Sequence, residues 1–275
     1  MRTLLILARI SNLPTVWSNC LAAWLLSGGT SWARLTLVCV GASLLYAAGM
    51  FLNDAVDQEF DRRYRPERPI VSGRIASRTV WVCSFVLLFA GWAAFIPFGK
   101  VAMFFAATLV FLIAAYDIVH KSTVLAPLLM ASCRFTLYLV VACAATGIIH
   151  SAVLWRAAAL GGYIVGLSYL ARGESTGGRF ANWTGVLLFV PAIVALFMSS
   201  GTSSTCWTAL IVQVTWILWC CWPNKSKLRI CIPTGVAGLL AGIALVDWLA
   251  AGACGWVFVG LFLFALLLQR IAPAT

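Results

Sequence analysis

The sequence predicts an all-α bundle of membrane-spanning helices, and three observations carry that prediction. Hydrophobic residues make up 63% of the 275, where an average soluble domain has about 45–50%. Charged residues are only 10%, against about 25% in soluble domains, and the mean hydropathy is +0.98. The apolar residues fall in long continuous runs, without the alternation that a membrane barrel strand requires. So few polar side chains cannot cover a water-facing surface, which excludes a soluble enzyme, a disordered chain and a nucleic-acid-binding module. In lipid only helices and closed barrels satisfy the backbone, and runs of this length span as helices. The whole chain, 1–275, is expected to be one membrane domain.

Taken in order, the apolar runs lie near 13–30, 36–54, 79–97, 101–117, 124–147, 153–171, 184–200, 206–222, 231–249 and 253–270. Only Ala251, Gly252 and Ala253 separate the last two, so the expected count is nine or ten transmembrane helices around a central cavity. Several runs are nearer 17 than 20 residues, which a thin or locally adapted bilayer accommodates. The segment before Pro14 is too short and interrupted for a cleavable signal peptide. The first run is therefore expected to be an uncleaved spanning helix. Ten cysteines include no CxxC pair, and most lie inside apolar runs, where Cys serves as a small packing residue.

The net charge of +11 is distributed unevenly. Fifteen of the 19 Lys and Arg fall on the N-terminus, the even loops and the C-terminal end, and three (Arg34, Lys100 and Arg156) on the odd loops. Arg134 completes the set inside the fifth run. By the positive-inside rule the N-terminus and even loops are cytoplasmic, and the expected location is a bacterial plasma membrane. That rule does not explain why six arginines crowd the second loop, nor why five of the eight acids occupy one 14-residue window.

The window reads Asn53-Asp54-Ala55-Val56-Asp57-Gln58-Glu59-Phe60-Asp61, with Glu67 following. On a continued helix, Asn53, Asp54, Asp57 and Asp61 fall near about 0°, 100°, 40° and 80°, one shared face, while Glu59 points away near about 240°. A face of hard oxygen ligands suits Mg²⁺, which keeps several waters and takes substrate phosphate oxygens. Downstream, Arg62, Arg63, Arg65, Arg68 and Arg74 lie on a loop stiffened by Pro66 and Pro69, with Gly73 permitting a turn. Guanidinium forks beside a carboxylate–metal face are what a diphosphate needs. No glycine-rich phosphate loop is present, so a nucleotide is not indicated.

The run NDAVDQEFDRRYRPERPIVSGRIA resembles the signature of the UbiA-type intramembrane prenyltransferases, NDxxDxxxD followed by RPxRPxxSG. Asn53, Asp54, Asp57, Asp61, Arg65, Pro66, Arg68, Pro69, Ser72 and Gly73 all match it. Arg9-Ile10-Ser11-Asn12-Leu13-Pro14 resembles the start of the family's first helix, and Tyr116 through Lys121 its Tyr-x-x-x-x-Lys segment. The resemblance implies a bundle of about nine helices around a cavity, Mg²⁺ as cofactor, and an isoprenyl diphosphate as substrate. It also implies transfer of the prenyl group to a lipophilic, often aromatic, acceptor. Asn53, Asp54, Asp57 and Asp61 are then the expected metal ligands, and Arg65, Arg68 and Lys121 the expected diphosphate ligands. Tyr116 is expected to line the cavity and stabilise a carbocation by its π face.

The sequence departs from the family at its second aspartate motif. That place reads Ser168-Tyr169-Leu170-Ala171-Arg172-Gly173-Glu174-Ser175-Thr176, with a single acid. With Cys133-Arg134 in the fifth run, this is similar to an atypical, EboC-like branch. Arg172 is expected to take over part of the missing acids' work by contacting the diphosphate directly. Arg134, a charge inside a span, should face a cavity and a partner, and is expected to contact diphosphate or acceptor. His120 and His150 read as loop residues, and Asp247 receives no role. The alternative from a different class is a lipid- or precursor-binding or export component that keeps one half-site without catalysing transfer.

Overall fold

The computed structural model describes residues 2–176, 182–198, 204–222 and 235–272. Arg179, Lys225, Lys227, Arg229 and Cys231 lie outside these, as does the side chain of Glu174. The helices are α1 (Arg2–Leu7), α2 (Leu13–Leu26), α3 (Trp32–Val56), α4 (Gln58–Tyr64), α5 (Ser77–Ala93), α6 (Lys100–Val119), α7 (Ala126–Thr146) and α8 (Ser151–Thr176). After them come α9 (Val190–Met198), α10 (Ser204–Cys221), α11 (Gly235–Ala241), α12 (Ile243–Ala251) and α13 (Gly255–Leu268). Short 3₁₀ turns at Ile10–Asn12, Ile96–Phe98 and Asn182–Phe189 complete the architecture, with no strand among the described residues.

Six helices are long and apolar enough to cross a membrane: Trp32–Val56, Ser77–Phe98, Lys100–Val119, Ala126–Thr146, Ser151–Arg172 and Ser204–Cys221. Thr184–Met198, Gly235–Ala251 and Gly255–Leu268 are shorter apolar helices. The outward faces carry large apolar side chains such as Phe89, Phe104, Phe111, Phe197 and Trp256. So many exposed large apolar side chains suit a lipid-facing surface.

Inside, one continuous core runs through Val38, Leu45, Tyr138, Leu160, Tyr163, Ile243 and Phe258. α3 packs along α5, α6 along α7, and α7 along α8, while α2 lies against α3, α7, α12 and α13. The α3–α5 approach depends on Gly91, where an added Cβ would come within 2.8 Å of the Leu45 side chain. Apart from this core, Leu7, Phe51, Ala55, Ile70 and Val80 form a small cluster at the C-terminal end of α3. It clamps α1 and the arginine loop onto that end of the bundle. Arg34, by contrast, is held at the opposite end, donating to the Ala144 carbonyl at 3.0 Å and lying 5.2 Å over the Phe98 ring.

Candidate functional site: a buried acid–base cluster at the end of α3

The acidic window almost continues α3. The N–H of Asp57 donates to the Asn53 carbonyl at 2.9 Å and that of Asp61 to the Asp57 carbonyl at 2.8 Å, so Asp57 joins α3 to α4 with little change of direction. Asn53, Asp54, Asp57 and Asp61 are all buried. Glu59 faces out and pairs with Arg62 and Arg63 at 3.0 and 3.4 Å, each side chain more than half exposed. The helical periodicity thus separates four inward polar groups from one outward acid.

Cations from three other places in the chain meet this face. Arg9 donates from Nη2 to Asn53 Oδ1 at 3.1 Å and Asp54 Oδ1 at 3.2 Å. It stands in the left-handed region with φ 42°, an uncommon conformation for a residue with a Cβ, and such strain clusters at functional sites. The Tyr46 hydroxyl donates to its carbonyl at 3.3 Å. Arg68 lies 3.6 Å from Asp54 Oδ1, positioned by turns in which Ser72 N–H donates to the Arg68 carbonyl and Gly73, at φ 72°, closes the loop. Lys121, just past α6, holds Asp57 Oδ1 at 2.6 Å and sits 3.6 Å over the Phe60 ring. His120 places Nε2 3.3 Å from Asp57 Oδ2 and directs Nδ1 to the Asp117 carbonyl at 3.0 Å.

These contacts set the electrostatics. Burial alone pushes Asp57 up, but its hydrogen bonds to His120 and Lys121 and their charges outweigh it and hold the carboxyl below its ordinary value. Asp61 moves the other way: burial raises it, Arg68 opposes, and the neighbouring Asp57 and Asp54 add to the rise. Burial pulls Arg68 down, and nearby Arg9 adds to the fall.

Three carboxylate oxygens here are buried and, among the described residues, have no hydrogen-bond partner: Asp54 Oδ2, Asp61 Oδ1 and Asp117 Oδ2. Buried polar atoms are nearly always paired, so orphaned hard oxygens beside arginines fit a cation. Among the described residues, no three His, Cys, Asp or Glu gather closely enough to hold an ion unaided. That arrangement fits a cation such as Mg²⁺, which relies on water and phosphate oxygens, better than it fits a closed protein cage.

The remaining expected site residues lie elsewhere or act through others. Arg65 ends α4, and its side chain is exposed to solvent beside Arg68. The half-buried Tyr116 ring stacks on His120 with centroids 5.2 Å apart. Arg172 donates to the carbonyls of His120 at 2.6 Å and Thr123 at 3.0 Å, which ties α8 to the segment carrying Lys121. Arg134 belongs to a different cluster deep in the bundle. Its guanidinium donates to Thr15 Oγ1 at 3.1 Å, to the Thr15 carbonyl at 3.3 Å, and to Asn19 Oδ1. Asn19 in turn donates to Asp247. The diphosphate contact expected of Arg134 has no support in this geometry.

Sequence reasoning missed Arg9, Asp117 and His120. The charge distribution places Arg9 with the cytoplasmic cations, although it opens the Arg9–Pro14 motif. His120 read as a loop residue. Asp117 carried a usable signal, because an acid inside an apolar run is a functional candidate by default.

Residues 11–227 match the family model described as UbiA prenyltransferase family. The chain therefore belongs to the UbiA prenyltransferase family. It is 34% identical over 103 residues to a 4-hydroxybenzoate octaprenyltransferase of Polaromonas sp. strain JS666, covering 36% of this chain and 34% of that one. It is 25% identical over 115 residues to the same-named protein of Burkholderia vietnamiensis, covering 41% and 40%. The aligned part thus spans between a third and two-fifths of the length of these curated relatives. Among solved structures, a UbiA homolog from Archaeoglobus fulgidus bound to DMAPP and Mg²⁺ superposes with a TM-score of 0.66 at 14% identity, over 94% of this chain and 99% of that one. The apo UbiA homolog from Aeropyrum pernix K1 gives 0.66 at 16%, over 86% and 94%. These two likenesses establish the fold.

Proposed function

We propose that this chain is an intramembrane prenyltransferase that takes an isoprenyl diphosphate at the α3–α6 end and transfers its prenyl group to a lipophilic or aromatic acceptor. The observation that carries this reading is a buried carboxylate face that Arg9, Arg68 and Lys121 meet, on which Asp54 and Asp61 each keep an oxygen unpartnered among the described residues. Asn53, Asp54, Asp57 and Asp61 are the residues assigned to hold Mg²⁺. When bound, the ion neutralises diphosphate oxygens and so eases departure of the leaving group. Arg68, Lys121 and Arg65 meet the negative charge that grows as the C1–O bond breaks and its electron pair leaves with diphosphate. Tyr116 offers a π face to the allylic cation. The acceptor attacks that carbon, and an aromatic acceptor then releases a proton. Arg172 serves by holding the Lys121 segment in place. The solved homolog bound to DMAPP and Mg²⁺ and the octaprenyltransferase names of the relatives support the substrate class.

Under this reading the chain crosses the membrane as nine or ten helices, and the acid end faces the cytoplasm of a bacterial cell. A second reading, a precursor-binding or export component without catalysis, draws on the single acid Glu174 in the segment 168–176. One experiment separates them. Purified protein with Mg²⁺ and geranyl or longer diphosphates is assayed for pyrophosphate release, with 4-hydroxybenzoate and other phenolic acceptors. Mg²⁺-dependent release supports transfer, whereas binding without release across the panel supports the second reading.

A further inference from the structure

We infer that Asp117 is a metal ligand of this site, supplying from α6 a carboxylate that faces the acids of α3. The inference rests on the prenyltransferase reading and deepens it. Asp117 is 1% exposed, near the last turn of a helix whose next residues, His120 and Lys121, hold Asp57. Its Oδ1 accepts from Asn53 Nδ2 at 3.1 Å. Asn53 Oδ1 shares the Arg9 guanidinium with Asp54. Asp117 is therefore linked to Asp54 through Asn53 and Arg9, across the gap between α3 and α6.

Its Oδ2 has no partner among the described residues. If the role of Asp117 were only to fix the Asn53 amide, one oxygen would suffice and an asparagine would serve without burying a charge. The second oxygen matches the orphans on Asp54 and Asp61, so α3, α4 and α6 each bring one oxygen that is unpartnered among the described residues. A cation between α3 and α6 would also relieve the repulsion between Asp117 and the α3 acids.

Asp117→Asn is the informative variant, because its amide oxygen still accepts from Asn53 while its NH₂ replaces the orphaned oxygen. The probe is Mn²⁺, followed by electron paramagnetic resonance on the full-length protein in detergent with a thiolodiphosphate analogue of geranyl diphosphate that does not ionise. The wild type is expected to bind Mn²⁺ with the analogue, and Asp117→Asn to weaken Mn²⁺ by at least the roughly 10–100-fold that even outer partners of metal ligands cost. Asp117→Glu should fall between the two. Equal Mn²⁺ affinity in wild type and folded Asp117→Asn overturns the inference and leaves the prenyltransferase reading standing. Absence of Mn²⁺ binding in the wild type overturns both. Should the variants fail to fold, Fe²⁺-directed cleavage of the wild-type backbone decides. Cuts near both 53–61 and 116–121 support the ligand role, and cuts near 53–61 alone overturn it.

Discussion

At Asp247 both carboxylate oxygens are occupied, whereas where α3, α4 and α6 meet three carboxylates each keep one oxygen without a partner among the described residues. The two regions use similar parts: buried acids, an asparagine, an arginine and residues of the first segments. Around Asp247, Tyr138 donates to Oδ1, and Ser18 and Asn19 to Oδ2. Arg134 closes the arrangement by donating to Asn19 and Thr15. The result joins α2, α7 and α12 and leaves no carboxylate oxygen for a ligand. At the α3 end, Arg9 and Arg68 both reach one oxygen of Asp54, and the other stays bare. A polar cluster that is fully satisfied specifies packing. One left short of partners, and carrying strain at Arg9, is stable only because the surrounding fold enforces it.

This contrast predicts opposite responses to deletion. Asp61→Ala should have the largest effect on function. Mg²⁺-dependent isoprenyl diphosphate binding should fall by about 100-fold or more, beyond the range of outer-shell losses. Its melting temperature in detergent should stay level or rise, because an unsatisfied buried oxygen costs about 1–3 kcal/mol. A clear loss of stability would place Asp61 with Asp247 among the structural groups. Asp247→Ala should do the reverse. Three interhelical bonds at about 0.6 kcal/mol each set the lower bound of its cost. The approximately 3–5 kcal/mol of breaking a buried ionic arrangement sets the upper one. Thermal melting and yield should drop, while diphosphate affinity per folded molecule should hold. If that affinity falls with the fold intact, the Asp247–Arg134 cluster belongs to the functional site.

The two regions also differed in how far the sequence exposed them. The helical periodicity of Asn53, Asp54, Asp57 and Asp61 is local, so the inward face and the outward Glu59 could be read from nine consecutive residues. The Asp247 cluster could not be read this way, because its partners Ser18 and Tyr138 lie 229 and 109 positions away. Arg134 illustrates the same limit. A buried charge announced that it had partners, but the choice of Thr15 and Asn19 depends on how α2 packs against α7. The helical membrane class followed from composition together with the continuous apolar runs. The break of the run 231–249 into α11 and α12 did not, because Gly242 interrupts it without changing its hydropathy.

Arg172→Ala should have an intermediate effect. It removes two charged hydrogen bonds to the carbonyls of His120 and Thr123, each of a kind worth about 1.5–3 kcal/mol. Because the segment it holds carries Lys121, diphosphate affinity should fall about tenfold, the equivalent of about 1.4 kcal/mol. Arg172→Lys should recover part of that, since an ammonium cannot fork between two carbonyls as a guanidinium does. A double-mutant cycle separates holding from direct contact. If Arg172 acts only through Lys121, the double variant Lys121→Ala/Arg172→Ala binds as Lys121→Ala does. Additive losses assign Arg172 its own contact with the diphosphate.

Glu59→Ala should have the smallest effect, and it sharpens the comparison most cheaply. Glu59 lies within two positions of Asp57 and Asp61 and has the same chemistry. It differs only in direction, with a side chain 65% exposed and paired to Arg62 and Arg63 on the helix surface. Exposed pairs of this kind contribute about 0.2–1 kcal/mol and are screened by salt. Loss of Glu59 should leave Mg²⁺-dependent binding within about twofold of wild type and shift stability by less than about 0.5 kcal/mol. The charge change of Asp61→Ala is the same, so any general effect of removing an acid from this surface appears equally in both variants. A difference of about 100-fold between them isolates the inward face as the source of binding. If Glu59→Ala proves as damaging as Asp61→Ala, the division between inward and outward acids fails, and the orphaned oxygens lose their meaning as a ligand site.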